Sequence, residues 1–280
     1  MKTPVVLTLL LGPVVVLVFG LYMSSLASVL AVSFLRPAGT TVFAEVFTLD
    51  NYAEFFSQPA YLIYFQATLR ITLVSTLLAV VLAYPLAYYV VANHASRRGK
   101  LVLSLVIIMF MTSPIVKVYA WTVVLGRFGL LNSILSYLQL PNHGLIYNEP
   151  AVILGLTHLL VPFAILLLLG PLRDIDQSLV EAAKGLGASE TRAFIRVTLP
   201  LSLHGVISAM LLCYALGVSA LVIPMVLGGG RVNMMANLIY DRYVETFNPY
   251  IASAMTVVLL SVALSSAYVL NRVLMRWVRI

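Results

Sequence analysis

Six stretches of this chain run for about 20 residues or more with almost no charge, the length a helix needs to cross a hydrocarbon layer about 30 Å thick. They are Pro4–Phe34, Ile63–Ala92, Leu101–Gly126, Ala151–Leu172, Leu201–Leu227 and Tyr250–Leu274. Each is apolar on every side, so none has the in-and-out alternation of a membrane β-barrel strand. Lipid gives backbone N–H and C=O groups no partner, so such segments satisfy them internally, as helices. Composition closes the soluble route. Hydrophobic residues make up 61% and charged residues 10%, against roughly 25% charged in a soluble domain, and the mean hydropathy is +1.02. The reading is an all-α polytopic helical bundle with six transmembrane helices, a single transmembrane domain over residues 1–280.

The first run is about twice the length of a signal-peptide core, which points to an uncleaved first helix. The net charge of +7 lies between the apolar runs rather than on a soluble face, so it reports topology and not nucleic acid. One set of loops holds Lys2, Arg97, Arg98, Lys100, Arg173, Lys184, Arg192, Arg196, Arg272, Arg276 and Arg279. The alternate set holds Arg36, Arg127, Arg231 and Arg242. The rich side is expected to be cytoplasmic, with both termini inside. Pro13, Pro85, Pro114, Pro162 and Pro224 interrupt runs. They fit ordinary proline tolerance in membrane helices and bent helices framing a pathway equally well. In the outer loop, FTLDNYAEFF at 47–56 predicts a short helix capped by Asp50 or Asn51. Glu54 lies in its first turn, and Tyr52, Phe55 and Phe56 form its apolar side.

The loop at 173–200, RDIDQSLVEAAKGLGASETRAFIRVTLP, has more organisation than a connection needs. Ser178 and Glu181 stand at capping-box spacing, which starts a helix there. Leu179, Ala182, Ala183 and Leu186 follow on one face, small in the middle. Gly185 and Gly187 end the helix or turn the chain. Ser189 caps a second short helix with Glu190 in its first turn, Phe194 and Val197 are its apolar positions, and Pro200 opens the fifth run. Two capped amphipathic helices suit either a docking site for another protein or a surface resting on lipid headgroups.

Glu181-Ala182-Ala183, then Gly187, then Val197, then Leu199-Pro200 reproduce the EAA signature of permease subunits of binding-protein-dependent ABC importers. The chain resembles that family over nearly its whole length and is most similar to its spermidine/putrescine permeases. FTLDNY near 50, YAW at 119–121, GLLNSIL at 129–135, VPF at 161–163, IDQSLVEAAKGLGAS and PMVLGG at 224–229 carry the likeness. Three departures appear: Val197 where isoleucine is usual, Lys117 where the subgroup has arginine, and His204 where it has proline. The resemblance implies a bacterial inner-membrane permease and a cytoplasmic coupling-helix loop. Ser178, Leu179, Glu181, Ala182, Ala183, Leu186 and Gly187 would seat on an ATPase there. It also implies a second permease as a heterodimeric partner, a periplasmic or lipid-anchored solute-binding protein, and ATP and Mg held by the ATPase subunits, with no cofactor in this chain.

No phosphate-binding GxxxxGK[ST] loop is present. His94, His143, His158 and His204 lack metal-ligand spacing and read as loop or packing residues. The lone Cys213 lies in an apolar run and reads as a small buried side chain. Neither a metal site nor a catalytic group is expected. All ten acidic residues fall outside the six runs, and apart from Arg272 at the loop end of the sixth the charges within them are Arg70 and Lys117. Arg70, near an end, is expected to snorkel. Lys117 either pairs with a carbonyl freed by Pro114 or faces the pathway. Tyr119, Trp121 and Tyr214 offer aromatic faces, and Asp241 and Glu245 offer carboxylates at the outer side, for a cationic solute such as a polyamine. A zwitterionic, amino-acid-like or opine-like solute meeting Lys117 is the alternative. A secondary transporter or channel would have no use for the 181–200 pattern, and a membrane enzyme would need a polar catalytic cluster.

Overall fold

Proline and asparagine decide where the apolar runs become continuous helices and where they break. The computed structural model describes residues 3–37, 45–139 and 144–278. Among the described residues six stretches are long and apolar enough to cross a membrane: Val15–Ser33, Pro59–Ala92, Pro114–Tyr137, Glu149–Arg173, Glu190–Val218 and Pro249–Val273. The chain forms two compact units, Met1–Ile63 with Leu238–Val262, and Tyr64–Asn237 with Ala263–Ile280.

In the first unit, α1 (Thr3–Ser33) leads into an antiparallel pair, β1 (Leu35–Pro37) and β2 (Glu45–Phe47), followed by α2 (Asp50–Ser57). The α2 helix lies where FTLDNYAEFF predicts it, but neither expected residue caps it. Leu49 holds the cap position without a side-chain bond. The Asp50 N–H donates to Thr48 Oγ1, and Asn51 donates to the carbonyls of Ser33 and Leu35, tying α2 back to the end of α1. Phe34 stacks on Phe47, and Tyr52 bonds Ser33. Phe55 is buried against Tyr61, whereas Phe56 is exposed. From Val15 to Tyr22 the described side chains of α1 are open, so this face is left to lipid or a neighbouring subunit. The second part of the unit is the end of α12 (Met235–Tyr240), a π turn at Asp241–Glu245, and the first half of α13 (Pro249–Val278).

The second unit is built on α7 (Glu149–Arg173). Leu156, Leu160, Ile165 and Leu168 of this helix are fully buried. Lipid tails are as apolar as leucine, so close packing rather than escape from water holds membrane helices together. Glycine makes that closeness available. A Cβ on Gly205 would stand 2.7 Å from the Pro171 side chain, and one on Gly217 would stand 2.7 Å from Thr72. These contacts join α10 (Leu199–Val218) to α7 and to α3 (Pro59–Ala92). Cys213 is buried in the same seam, its thiol directed at the Leu160 carbonyl.

Two expected runs are each divided. Run 101–126 becomes α4 (Arg97–Met111) and α5 (Pro114–Leu125), separated by extended Thr112 and Ser113. A residue before proline is driven out of the helical region, so the break precedes Pro114. Run 201–227 becomes α10 and α11 (Val222–Leu227). The Pro224 ring excludes a helical carbonyl four residues back, at Ala220. Pro13, Pro85 and Pro162 leave their helices continuous. Broken helices expose backbone groups that lipid cannot satisfy, and asparagines answer them. Asn132, on α6 (Leu130–Tyr137), donates to the carbonyls of Leu125 and Gly126 where α5 ends. Asn237 donates to the Leu221 carbonyl between α10 and α11 while accepting from the Met234 N–H.

Candidate functional site

The loop at 173–200 folds as two short helices joined by a tight reversal. The first, α8, is Gln177–Gly185. Its cap is Asp176, which accepts from the Ser178 N–H at 2.9 Å, so the expected cap at Ser178 is displaced by two residues. An ionised carboxylate is the stronger acceptor and complements the positive helix end. That bond holds the Asp176 carboxyl below its usual range, so the cap is complete at neutral pH and is lost only as acid protonates it. At the other end, Gly187 has φ +88°. The Ala188 N–H donates to the Ala183 carbonyl and the Gly187 N–H to that of Lys184, the two bonds of a Schellman turn. Ser189 caps α9 (Glu190–Ala193) as the sequence predicts, accepting from the Arg192 N–H. A π turn at Phe194–Thr198 carries α9 into α10.

Two contacts fix this hairpin. Lys184 Nζ meets Glu190 Oε1 at 3.0 Å across the reversal, which raises the Lys184 pKa above its ordinary value. Phe194 lies edge-on to Tyr84 and Tyr88 of α3, with ring centres 5.8 and 5.3 Å away. Tyr84 is bonded in turn to Ser202 of α10. No residue of α8 is buried. Leu186 is 91% exposed and Leu179 is 49% exposed, and Ser178, Glu181 and Ala182 are open as well. Ala183 differs: it is half-buried and faces a cavity of about 250 Å³ that it shares with Leu186, Gly187, Arg192 and Arg196. The open face is therefore Leu179, Ala182 and Leu186, with Ala183 turned toward the hairpin.

The six candidate pathway residues divide between the two units, Asp241 and Glu245 in the first and Lys117, Tyr119, Trp121 and Tyr214 in the second. Lys117 is buried on α5, 6% exposed. Pro114 stands at the first position of α5, where a missing N–H frees no carbonyl, and among the described residues Nζ has no hydrogen bond or ion pair. One turn on, Trp121 Nε1 donates to Nδ1 of His158 on α7 at 3.1 Å, the rings edge to face. Tyr119 is 58% exposed on another side of α5. Tyr214 is buried, with its hydroxyl on Ser266. Asp241 and Glu245 lie in the π turn of the first unit, and neither has an ion pair among the described residues. Arg70, expected to snorkel, instead pairs with Glu149 in the first turn of α7. Reading the sequence passed over His158 as a packing residue. Its one available signal was the spacing of Lys117 and Trp121 on one face of α5. Among the described residues no group of three His, Cys, Asp or Glu is placed to hold a metal. His143 lies outside the described residues.

Residues 75–280 match the family of inner membrane components of binding-protein-dependent transport systems. The chain belongs to this family. It is thus a multi-pass inner-membrane protein and a component of transport rather than an enzyme. As a member of the family, it is 33% identical over 258 residues to the spermidine/putrescine transport system permease protein PotB of Haemophilus influenzae, covering 90% of this chain and 89% of that one. It is 29% identical to the PotB of Escherichia coli strain K12, over 78% of this chain and 79% of that one. Its fold is that of a chain of a bacterial ABC transporter that imports the acidic polysaccharide alginate, with TM-score 0.75 at 17% identity, covering 97% and 95% of the two chains. A chain of the MetNI methionine ABC transporter is similar with TM-score 0.60 at 20% identity, covering 76% and 93%.

Proposed function

We propose that this chain, acting as one transmembrane domain, lines the translocation pathway of an ATP-driven importer for a polyamine-type solute. A second, different permease completes the pathway, a solute-binding protein delivers the cargo outside, and ATPase subunits holding ATP and Mg dock on α8. The observation that carries the reading is α8 itself. It is capped at both ends, fixed to α3 through Phe194 and open along Leu179, Ala182 and Leu186. A lone helix with no buried residue has little reason to be so firmly built unless a partner completes it. The solute class rests on the PotB relatives.

In this reading the cytoplasmic side is the one richer in Lys and Arg, with both termini inside. The third crossing is α4 with α5, because the stretch Pro114–Tyr137 carries Arg127 in its middle turn beside Phe128. ATP-driven closure of the ATPases moves α8, and the hairpin passes that movement to the bundle as a rigid body. Expression of the chain with its partner permease, ATPase and binding protein in membrane vesicles tests the proposal. ATP-dependent putrescine uptake and copurification of the ATPase are expected. An importer that assembles without an ATPase, or takes up putrescine without ATP, would overturn it.

A further inference from the structure

The reversal between α8 and α9 borders a cavity of about 250 Å³ whose charges are all of one sign. Ala183, Ala188 and the buried Ala193 give it an apolar wall, and Arg192 and Arg196 a basic one. Gly187 adds no bulk, and a Cβ there would meet nothing within 4 Å. Leu186, 91% exposed, lines this cavity and also belongs to the open face of α8, so a partner seated on that face reaches the cavity as well. Neither guanidinium has an ion pair among the described residues. Glu190, the acid of α9, is held by Lys184. Asp174 and Asp176 stand at the other end of α8, and Glu181 does not line the cavity. Two like charges one helical turn apart repel each other, and an arginine fork matches the shape of a carboxylate. The volume falls below the roughly 300–1,000 Å³ of a small-molecule pocket. It suits an inserted side chain rather than a free solute.

We propose that Arg192 and Arg196 receive an acidic side chain of the docked ATPase in this cavity. The proposal rests on the importer reading above and adds to it a second contact of different chemistry. Leu179, Ala182 and Leu186 supply the apolar part of the interface, and the two arginines fix its register by charge. The contact lies behind the reversal rather than on the face of α8, so the ATPase holds the hairpin from two sides.

The test follows release of labelled ATPase from the assembled importer in nanodiscs at low and high salt. Wild type is expected to release it faster as salt rises, because salt screens the charge contact. The double variant Arg192→Gln, Arg196→Gln is expected to release it about tenfold or more faster at low salt and to lose most of the salt dependence. Arg196→Glu should be worse than Arg196→Gln, and changing single acidic residues of the ATPase to arginine should restore retention in Arg196→Glu at one position. Release rates that the double variant leaves unchanged overturn the proposal. Faster release with the wild-type salt dependence also overturns it, since that marks a damaged hairpin rather than a lost charge contact. A salt dependence that appears only in nanodiscs containing phosphatidylglycerol assigns the arginines to lipid headgroups and overturns it too, as does rescue at no position of the ATPase. A wild-type importer that retains no ATPase at either salt overturns the importer reading itself.

Discussion

Gly187 and Ala182 separate two ways of damaging α8. Gly187 is held at φ +88°, a conformation a β-branched residue adopts only at a cost of about 1–3 kcal/mol. Gly187→Val should therefore undo the reversal and the register between Lys184 and Glu190. Ala182→Glu leaves the hairpin intact and places a charge on its open face, where a partner surface would have to desolvate it. Both variants are expected to lose transport and ATPase association while reaching the membrane at normal levels. Uptake and copurification at matched expression check this, and wild-type values for Ala182→Glu would falsify the docking role of that face. Ala183 is the poorer probe, because it faces the cavity inside the hairpin.

At the scale of elements, the breaks in α4–α5 and α10–α11 invite a different measurement. Asn237→Leu removes the side-chain bond to the Leu221 carbonyl at the second break, which keeps the Met225 N–H, and strands the Met234 N–H. An abandoned buried polar group costs about 1–3 kcal/mol. A drop of that size in unfolding free energy in detergent is expected, and an unchanged value would mean that water or lipid headgroups reach the break. The kind of element and the number of membrane crossings were legible in the apolar runs, because only a helix satisfies its own backbone in lipid. The positions of the breaks were not. Pro85 and Pro162 pass through continuous helices while Pro114 starts a new one, and nothing in the apolar runs distinguishes them. The caps misread for the same reason. Asp176 outcompetes Ser178, and Asn51 turns to carbonyls of another element, choices decided by geometry that spacing does not record. The 173–200 hairpin was legible because its signals are local, whereas His158 meets Trp121 only once α7 packs on α5.

For the whole molecule, the bias of Lys and Arg sets a direction that labelling reads. In the intact protein the one thiol, Cys213, is buried, so Arg97→Cys adds a single accessible site without further editing. A membrane-impermeant maleimide is expected to label it in inverted vesicles and not in intact cells; labelling from outside would reverse the topology.

The placement of Phe194 has a mechanical consequence. Its ring is gripped by two tyrosines one turn apart on α3, and one of these is latched to α10 through Ser202. A load applied at Leu186 therefore divides between two membrane helices at a fixed ratio, as at a pivot with two arms. Softening that pivot with Phe194→Ala leaves the docking face untouched, so ATP turnover should persist while the stroke it drives is absorbed at the hairpin.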